Sequence, residues 1–331
     1  MSPKKHNTAQ IIVSTIVTAI CIVAAAYVVI NRQQVIDQIN FWEYKPSSLM
    51  ASFAERSSMS SEGQFLFYSA KPELQTQDSF NASCPNTNPT MAIIGCYNGQ
   101  QIFIYDITNT QLDGIRDVTA AYEMLHAAYK RLSSADLKTV NQLIEDEYAK
   151  QGDDAMKNLV KYFATTEPGE RDNELFSMIA TQLPNISPQL EQYYSRYFDN
   201  RQTLVALYNQ YSGVFKRLSD QSTQLAGQLK VLAASIDARS AQYNSDNAKL
   251  NADIQTFNQN AANGNFSSQS DFNQQRNALS ARADTLNAER TSINNDIATY
   301  NSELAEYNAL AVQTKQLYNS INSLSAASSV N

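Results

Sequence analysis

The stretch Val118-Thr119-Ala120-Ala121-Tyr122-Glu123-Met124-Leu125-His126-Ala127-Ala128-Tyr129 governs the reading of the chain. Val118, Ala121, Leu125 and Ala128 recur at the three- and four-residue spacing of one helical face. No glycine or proline interrupts them, so the segment reads as a helix built into a core. It carries Glu123 and His126 three residues apart, a spacing that makes their side chains neighbours on a helix. The chain has 2 histidines in 331 residues, and the other is His6, far away near the start.

Upstream, Met91 to Tyr97 and Gln101 to Asp106 are β-type runs separated by Asn98-Gly99, a strong hairpin turn signal. The hairpin feeds the helix through Asp113-Gly114. Before it, Gln64 to Tyr68 reads as a short strand, and Pro46-Ser47-Ser48 as a helix start ahead of Leu49, Met50, Phe53 and Ala54. Beyond the motif, Ser133-Ser134-Ala135-Asp136 resembles a capping box. Further helices are expected at Ala155 to Phe163, Asn173 to Gln182 and, after Ser187-Pro188, Leu190 to Phe198. Glu145-Asp146-Glu147 reads as a solvated helix face. The globular domain so outlined covers residues 46–200, enough for one core.

At the N-terminus, Ile11 to Ile30 is an uncharged apolar run. As a helix at about 1.5 Å per residue it is roughly 30 Å long, the thickness of a bilayer core. It reads as a single transmembrane helix, 11–30, preceded by a tail, 1–10, and followed by a polar and aromatic juxtamembrane stretch, 31–45, with Phe41, Trp42 and Tyr44 suited to the interface. A signal peptide cleaved near Ala24-Ala25-Ala26 is the competing reading; continuation through Tyr27 to Ile30 favours retention. Lys4 and Lys5 point to a cytoplasmic tail, which places the bulk of the chain outside the plasma membrane, although Arg32 and Lys45 weaken the asymmetry. Cys84 and Cys96 are the thiols outside the span. A disulfide between them closes a loop of about 13 residues and contributes on the order of 3 kcal/mol in an oxidising compartment; two buried reduced thiols are the alternative.

The net charge of −7, with 25 basic and 32 acidic residues, and the lack of a basic cluster interleaved with aromatics argue against nucleic-acid binding. Nine glycines and eight prolines imply a mostly helical chain. From residue 203 to 325 the composition shifts to Asn, Gln, Ser and Ala with spaced apolar residues. Leu218, Leu225, Leu229, Leu232, Ile236, Tyr243, Leu250 and Phe257 follow steps of three and four or their sums. Leu279, Leu286, Ile293, Tyr300 and Tyr307 repeat every seven, with Ile297, Leu304, Ala311 and Tyr318 as the second seam. These are coiled-coil heptads, and Asn263-Gly264-Asn265 reverses the chain into an antiparallel hairpin. One thin seam invites pairing between copies, so homo-oligomerisation through the coiled coil is expected as a possibility of the fold.

A hairpin leading into a helix with Glu-x-x-His resembles the zincin-type metallopeptidases, in which H-E-x-x-H sets two imidazoles on one zinc and the glutamate activates the metal-bound water. The resemblance runs through residues 91–126 and more loosely through 64–200, and implies an α+β zincin-like domain, mostly α with a small β-hairpin or sheet. By it, Glu123 occupies the general-base position, His126 the second-ligand position, and Tyr122 stands where the first histidine belongs. Asn173-Glu174-Leu175-Phe176-Ser177 resembles the downstream helix of glutamate zincins, which makes Glu174 the first candidate for third ligand; alternatively Thr181-Gln182 marks that position and Gln182 is a lost carboxylate. Catalytic zinc takes three protein ligands plus water, so the set is incomplete, no cofactor is expected, and zinc enters only with the enzyme reading.

Three functions compete on this basis. The first is a membrane-anchored extracytoplasmic protein whose degenerate cleft binds a peptide or protein without cleaving it, with Ile102, Phe103, Ile104 and Tyr105 as the edge strand for strand addition. The second is a zinc peptidase using Glu123, His126, Glu174 and Tyr122. The third is an envelope spacer or adhesion stalk made by the coiled coil.

Overall fold

A computed structural model describes residues 8–86, 92–152, 154–166 and 169–324. Residues 1–7 with His6 and both lysines of the expected tail, residues 87–90 of the polar loop, Met91 at the start of the hairpin and Ser325 at the end of the heptads lie outside the described residues. The chain is mostly helical with a small sheet, the class expected from its composition. It divides into two compact units, Met1–Val214 with Leu317–Asn331, and Phe215–Gln316.

In the first unit, α1 (Thr8–Ile30) has a mean hydropathy of 2.5 over its apolar window with 0% of that window buried by the chain. It is long and apolar enough to cross a membrane. The expected juxtamembrane stretch is itself a helix, α2 (Arg32–Glu43), held to the domain through Asp37, which is 3% exposed. Arg131 grips Asp37 with two bonds of 2.7 Å. α3 (Ser48–Arg56) starts where Ser47 Oγ accepts from Met50 N at 3.2 Å and buries Met50, Phe53 and Ala54. The expected strand at Gln64 to Tyr68 is instead the helix α4 (Ser61–Ser69). Ser60 Oγ accepts from Gly63 N at 3.1 Å, and Gly63, Leu66 and Phe67 fall on one buried face. The cap and the three-to-four spacing override the strand preference of the aromatic run.

β1 (Glu73–Gln75), α5 (Gln77–Ser83), β2 (Gly95–Tyr97) and β3 (Ile102–Tyr105) follow. The β2–β3 hairpin forms as expected: Asn98 Oδ1 accepts from Gln100 N at 3.0 Å and Gln101 N at 2.9 Å, and Gly99 takes φ 92°. The sheet order is β1-β3-β2, with β1 parallel and β2 antiparallel to β3. This corrects the expectation for Ile102, Phe103, Ile104 and Tyr105. They form the central strand, both ladders of which are occupied, and so cannot accept a peptide by strand addition. Nothing in the sequence of Glu73-Leu74-Gln75 marks it as a partner, which is why β3 reads as an edge without it. The open edge on the hairpin side is β2.

α6 (Ile115–Tyr129) is the motif helix and the hub of the core, packing on α3, α4, β2 and β3 and, beyond it, on α9 (Arg171–Gln182). It starts at Gly114, whose φ of 94° admits glycine readily and whose missing Cβ leaves room for the Leu207 carbonyl, 3.1 Å from where that atom would sit. α7 (Ser134–Tyr148), α8 (Asp154–Thr166) and α10 (Pro188–Tyr194) complete the layer around α9. Glu147 in α7 is not part of a solvated face: it is 4% exposed and accepts Ser187 N at 3.0 Å. Ser187 in turn caps α10 with Pro188 in its first turn. The core closes on Arg201, buried against Glu191 and donating to the carbonyls of Ala180, Leu183 and Pro184.

The second unit is a helical hairpin formed by α11 (Arg201–Asn263) and α12 (Gln269–Ile321) over residues 215–316. Gly264, at φ 70°, makes the reversal, and Phe257, Phe266 and Phe272 close the tip with ring centroids 5.1 to 5.2 Å apart. Leu218, Leu225, Leu229, Leu250 and Ile293 are buried in the seam. The second seam of α12 runs one residue earlier than expected. Ile297 is 39% exposed, while Glu289 and Asp296 turn inward to Arg239. Arg239 also donates to Ser292 Oγ at 2.7 Å, so a polar layer sets the register.

Candidate functional site

β2 lies hard against the motif helix. A Cβ on Gly95 would stand 2.5 Å from Thr119 Cγ2 and 2.7 Å from Glu123 Oε1, so only glycine lets the strand come this close. Cys96 is bonded to Cys84, as expected. Tyr97 N–H donates to the Glu123 carboxyl. From the other side α9 brings Asn173 and Glu174. Tyr122 Oη donates to Glu174 Oε2 at 2.5 Å, and His126 Nε2 lies 3.6 Å from Glu174 Oε1. The Tyr122 and His126 rings meet edge to face, centroids 4.9 Å apart.

These groups line a cavity of about 680 Å³ that also takes in Gln182, Tyr162 and Tyr211. Tyr122, Glu123, His126 and Glu174 are therefore brought together. Gln182 faces the same cavity without entering their network. Ile102 and Ile104 belong to the main core instead, and Phe103 packs with Phe80 and Cys84. Asn173, Tyr211 and Gly95 were not singled out by their sequence; Gly95 within a β run is the one legible signal, since a strand glycine marks a close approach.

Burial dominates the electrostatics. It pushes the Tyr122 phenol well above its ordinary value, and Glu174 adds to the shift, so the group stays a neutral hydrogen-bond donor. Burial raises Glu123 to about 7, with His126 opposing and Glu174 reinforcing. For His126, burial pulls the pKa down but is outweighed by Glu174 and Glu123, then Asn173 and Glu170, and the net direction is up. Glu123 Oε2 is buried with no hydrogen-bond partner, while the Asn173 side chain accepts from His126.

The donor set does not fit catalytic zinc. Among the described residues no three His, Cys, Asp or Glu side chains are grouped to hold a metal ion. Tyr122, which the resemblance would put at the first-ligand position, is a protonated phenol whose hydrogen is committed to Glu174. No family model matches the chain, and no curated protein or solved structure is significantly similar to it.

Proposed function

We propose that the chain is a membrane-anchored extracytoplasmic binding protein, in which a zincin-like cleft has lost its metal chemistry and holds an extended peptide segment of a partner. The observation that carries this is the Tyr122–Glu174 hydrogen bond. It joins the two positions that the resemblance assigns to the first and third ligands, and it leaves a roomy cavity with incomplete hydrogen bonding. A volume of about 680 Å³ falls within the usual range of small-ligand sites.

The peptide lies along β2, in place of the central β3. In the antiparallel ladder Cys96 pairs with Phe103, so Gly95 and Tyr97 turn their backbone groups away from β3 beside the cavity; Tyr97 N–H is held by Glu123, and the peptide pairs with the outward groups that remain. Anchoring rests on α1, whose apolar surface the rest of the chain leaves uncovered, and the extracytoplasmic placement rests on the Cys84–Cys96 disulfide.

The test uses the full chain in detergent micelles, with metal analysis and a library of quenched fluorescent peptides. Zinc well below one per chain, no chelator-sensitive hydrolysis and saturable binding of uncleaved peptide are expected. Stoichiometric zinc together with hydrolysis abolished by Glu123→Ala would return the enzyme reading.

A further inference from the structure

The cavity contains three carboxylates, Glu123, Glu170 and Glu174, against two basic groups, His126 and Lys130. Lys130 and the Asn173 amide nitrogen are taken up by Glu170, and His126 and the Tyr122 phenol by Glu174. Glu123 is the carboxylate left over. It is 5% exposed; one oxygen receives Tyr97 N–H, and the other, Oε2, has no partner. Asn173 Nδ2 is committed to Glu170 Oε2 at 2.9 Å, which turns Oδ1 to His126, whose proton it helps hold, so Asn173 is not a second vacant acceptor.

A surplus carboxylate with a buried, unpartnered oxygen calls for a group that brings donors, positive charge and no acceptor of its own. A hydroxyl or amide carries an oxygen that would face Glu123 and Glu174; an ammonium or guanidinium does not. Tyr97, Tyr162, Phe163 and Tyr211 supply aromatic surface around the same cavity, and aromatic faces attract organic cations.

We infer that the cavity receives a primary ammonium or guanidinium, with Glu123 as its counter-ion. The inference deepens the peptide-binding reading above and rests on it for delivery: the cation is a lysine or arginine side chain of a peptide lying along β2. The cation chemistry stands on the cavity alone.

The test compares fluorescein-labelled peptides of alternating Thr and Val with a central lysine, norleucine or glutamate, binding to the full chain in detergent micelles at pH 8, where Glu123 is ionised. Norleucine keeps the aliphatic stem and deletes the charge. The lysine peptide is expected to bind at least about tenfold tighter than the norleucine peptide, the scale of a charge-assisted hydrogen bond, with the glutamate peptide weakest. Glu123→Gln, verified as folded by circular dichroism, is expected to erase the difference, and n-butylamine to compete with the lysine peptide. Equal binding of the lysine and norleucine peptides to the unaltered chain overturns the cation site while leaving peptide binding intact. If no peptide binds but n-butylamine perturbs the cavity tyrosines in the unaltered chain and not in Glu123→Gln, the cation site holds with a free amine as its source, and the peptide reading fails. Binding by neither probe overturns both.

Discussion

Tyr122 gives its phenolic hydrogen to Glu174 across 52 positions of sequence, at 2.5 Å. Because the acceptor is a largely buried carboxylate, Tyr122→Phe should lower stability by about 1 to 3 kcal/mol, the usual range for stranding such a group. Tyr122→His tests the resemblance directly. It sets imidazoles at i and i+4 and releases Glu174, so zinc retained after dialysis should approach one per chain. First-ligand changes exceed the 10- to 100-fold affinity effects typical of outer-sphere changes, about which the comparison is easily read. Zinc content unchanged by Tyr122→His would mean that the cavity is not a ligand site with one member replaced.

The raised Glu123 pKa has a definite sign in stability. The folded state holds this proton up to about pH 7 whereas the unfolded chain releases it near its ordinary 4.5. Stability is therefore lost as pH rises between these values, by roughly 3 kcal/mol at about 1.4 kcal/mol per unit. His126, also shifted upward, contributes stability that is present at low pH and lost as pH rises through its folded value; the two act in the same direction and titrate as a coupled pair, not as a sum. Denaturant midpoints at pH 5 and pH 8 should differ in favour of pH 5, and Glu123→Gln should flatten that difference by gaining stability at pH 8. A Glu123→Gln profile parallel to that of the unaltered chain would contradict the assignment.

Arg131 links α2 to the site. It holds Asp37 in α2 through two bonds and donates to Tyr97 Oη at 2.9 Å at the end of β2. Asp37 is 3% exposed, so Arg131→Met leaves a buried carboxylate with no countercharge and only Gln33 Nε2, at 2.9 Å, as donor, and should cost about 3 kcal/mol. Replacing both, Asp37→Leu with Arg131→Met, should recover most of that loss. Thermal denaturation of the single and double variants decides it; a double variant no more stable than Arg131→Met would mean that the pair does not act as a unit.

The site was legible in the sequence to the extent that local spacing carries it. Glu123 and His126 share a helix, and the Asn98-Gly99 turn places β2 before that helix. Glu174 could be read only through the resemblance, and Asn173 and Tyr211 enter the cavity through tertiary packing that no spacing encodes. The misreadings have physical causes too. Phe65-Leu66-Phe67-Tyr68 has strand-forming side chains but is capped by Ser60 and buried with helical period. Ile297 is the more apolar neighbour of Asp296, yet Arg239 across the hairpin draws Asp296 inward and turns Ile297 to solvent. In the first place the cap next to the run decides, in the second a partner distant in sequence.

The Cys84–Cys96 bridge lies at the cavity wall, because Cys96 stands between Gly95, which presses on α6, and Tyr97, which donates to Glu123. The bridge ties β2 to the end of α5, across a sequence separation of 12. Closing a loop of that size stabilises by on the order of 3 kcal/mol, so the Cys84→Ala, Cys96→Ala double variant should unfold at correspondingly lower denaturant. The effect on function should exceed the effect on the core. β2 is an edge strand with one neighbour, whereas α6 is buried on nearly every face. Hydrogen exchange should therefore quicken at Gly95 to Tyr97 far more than along α6, and peptide affinity should fall in step. Uniform acceleration over both elements would assign the bridge to global stability alone and separate it from the cavity.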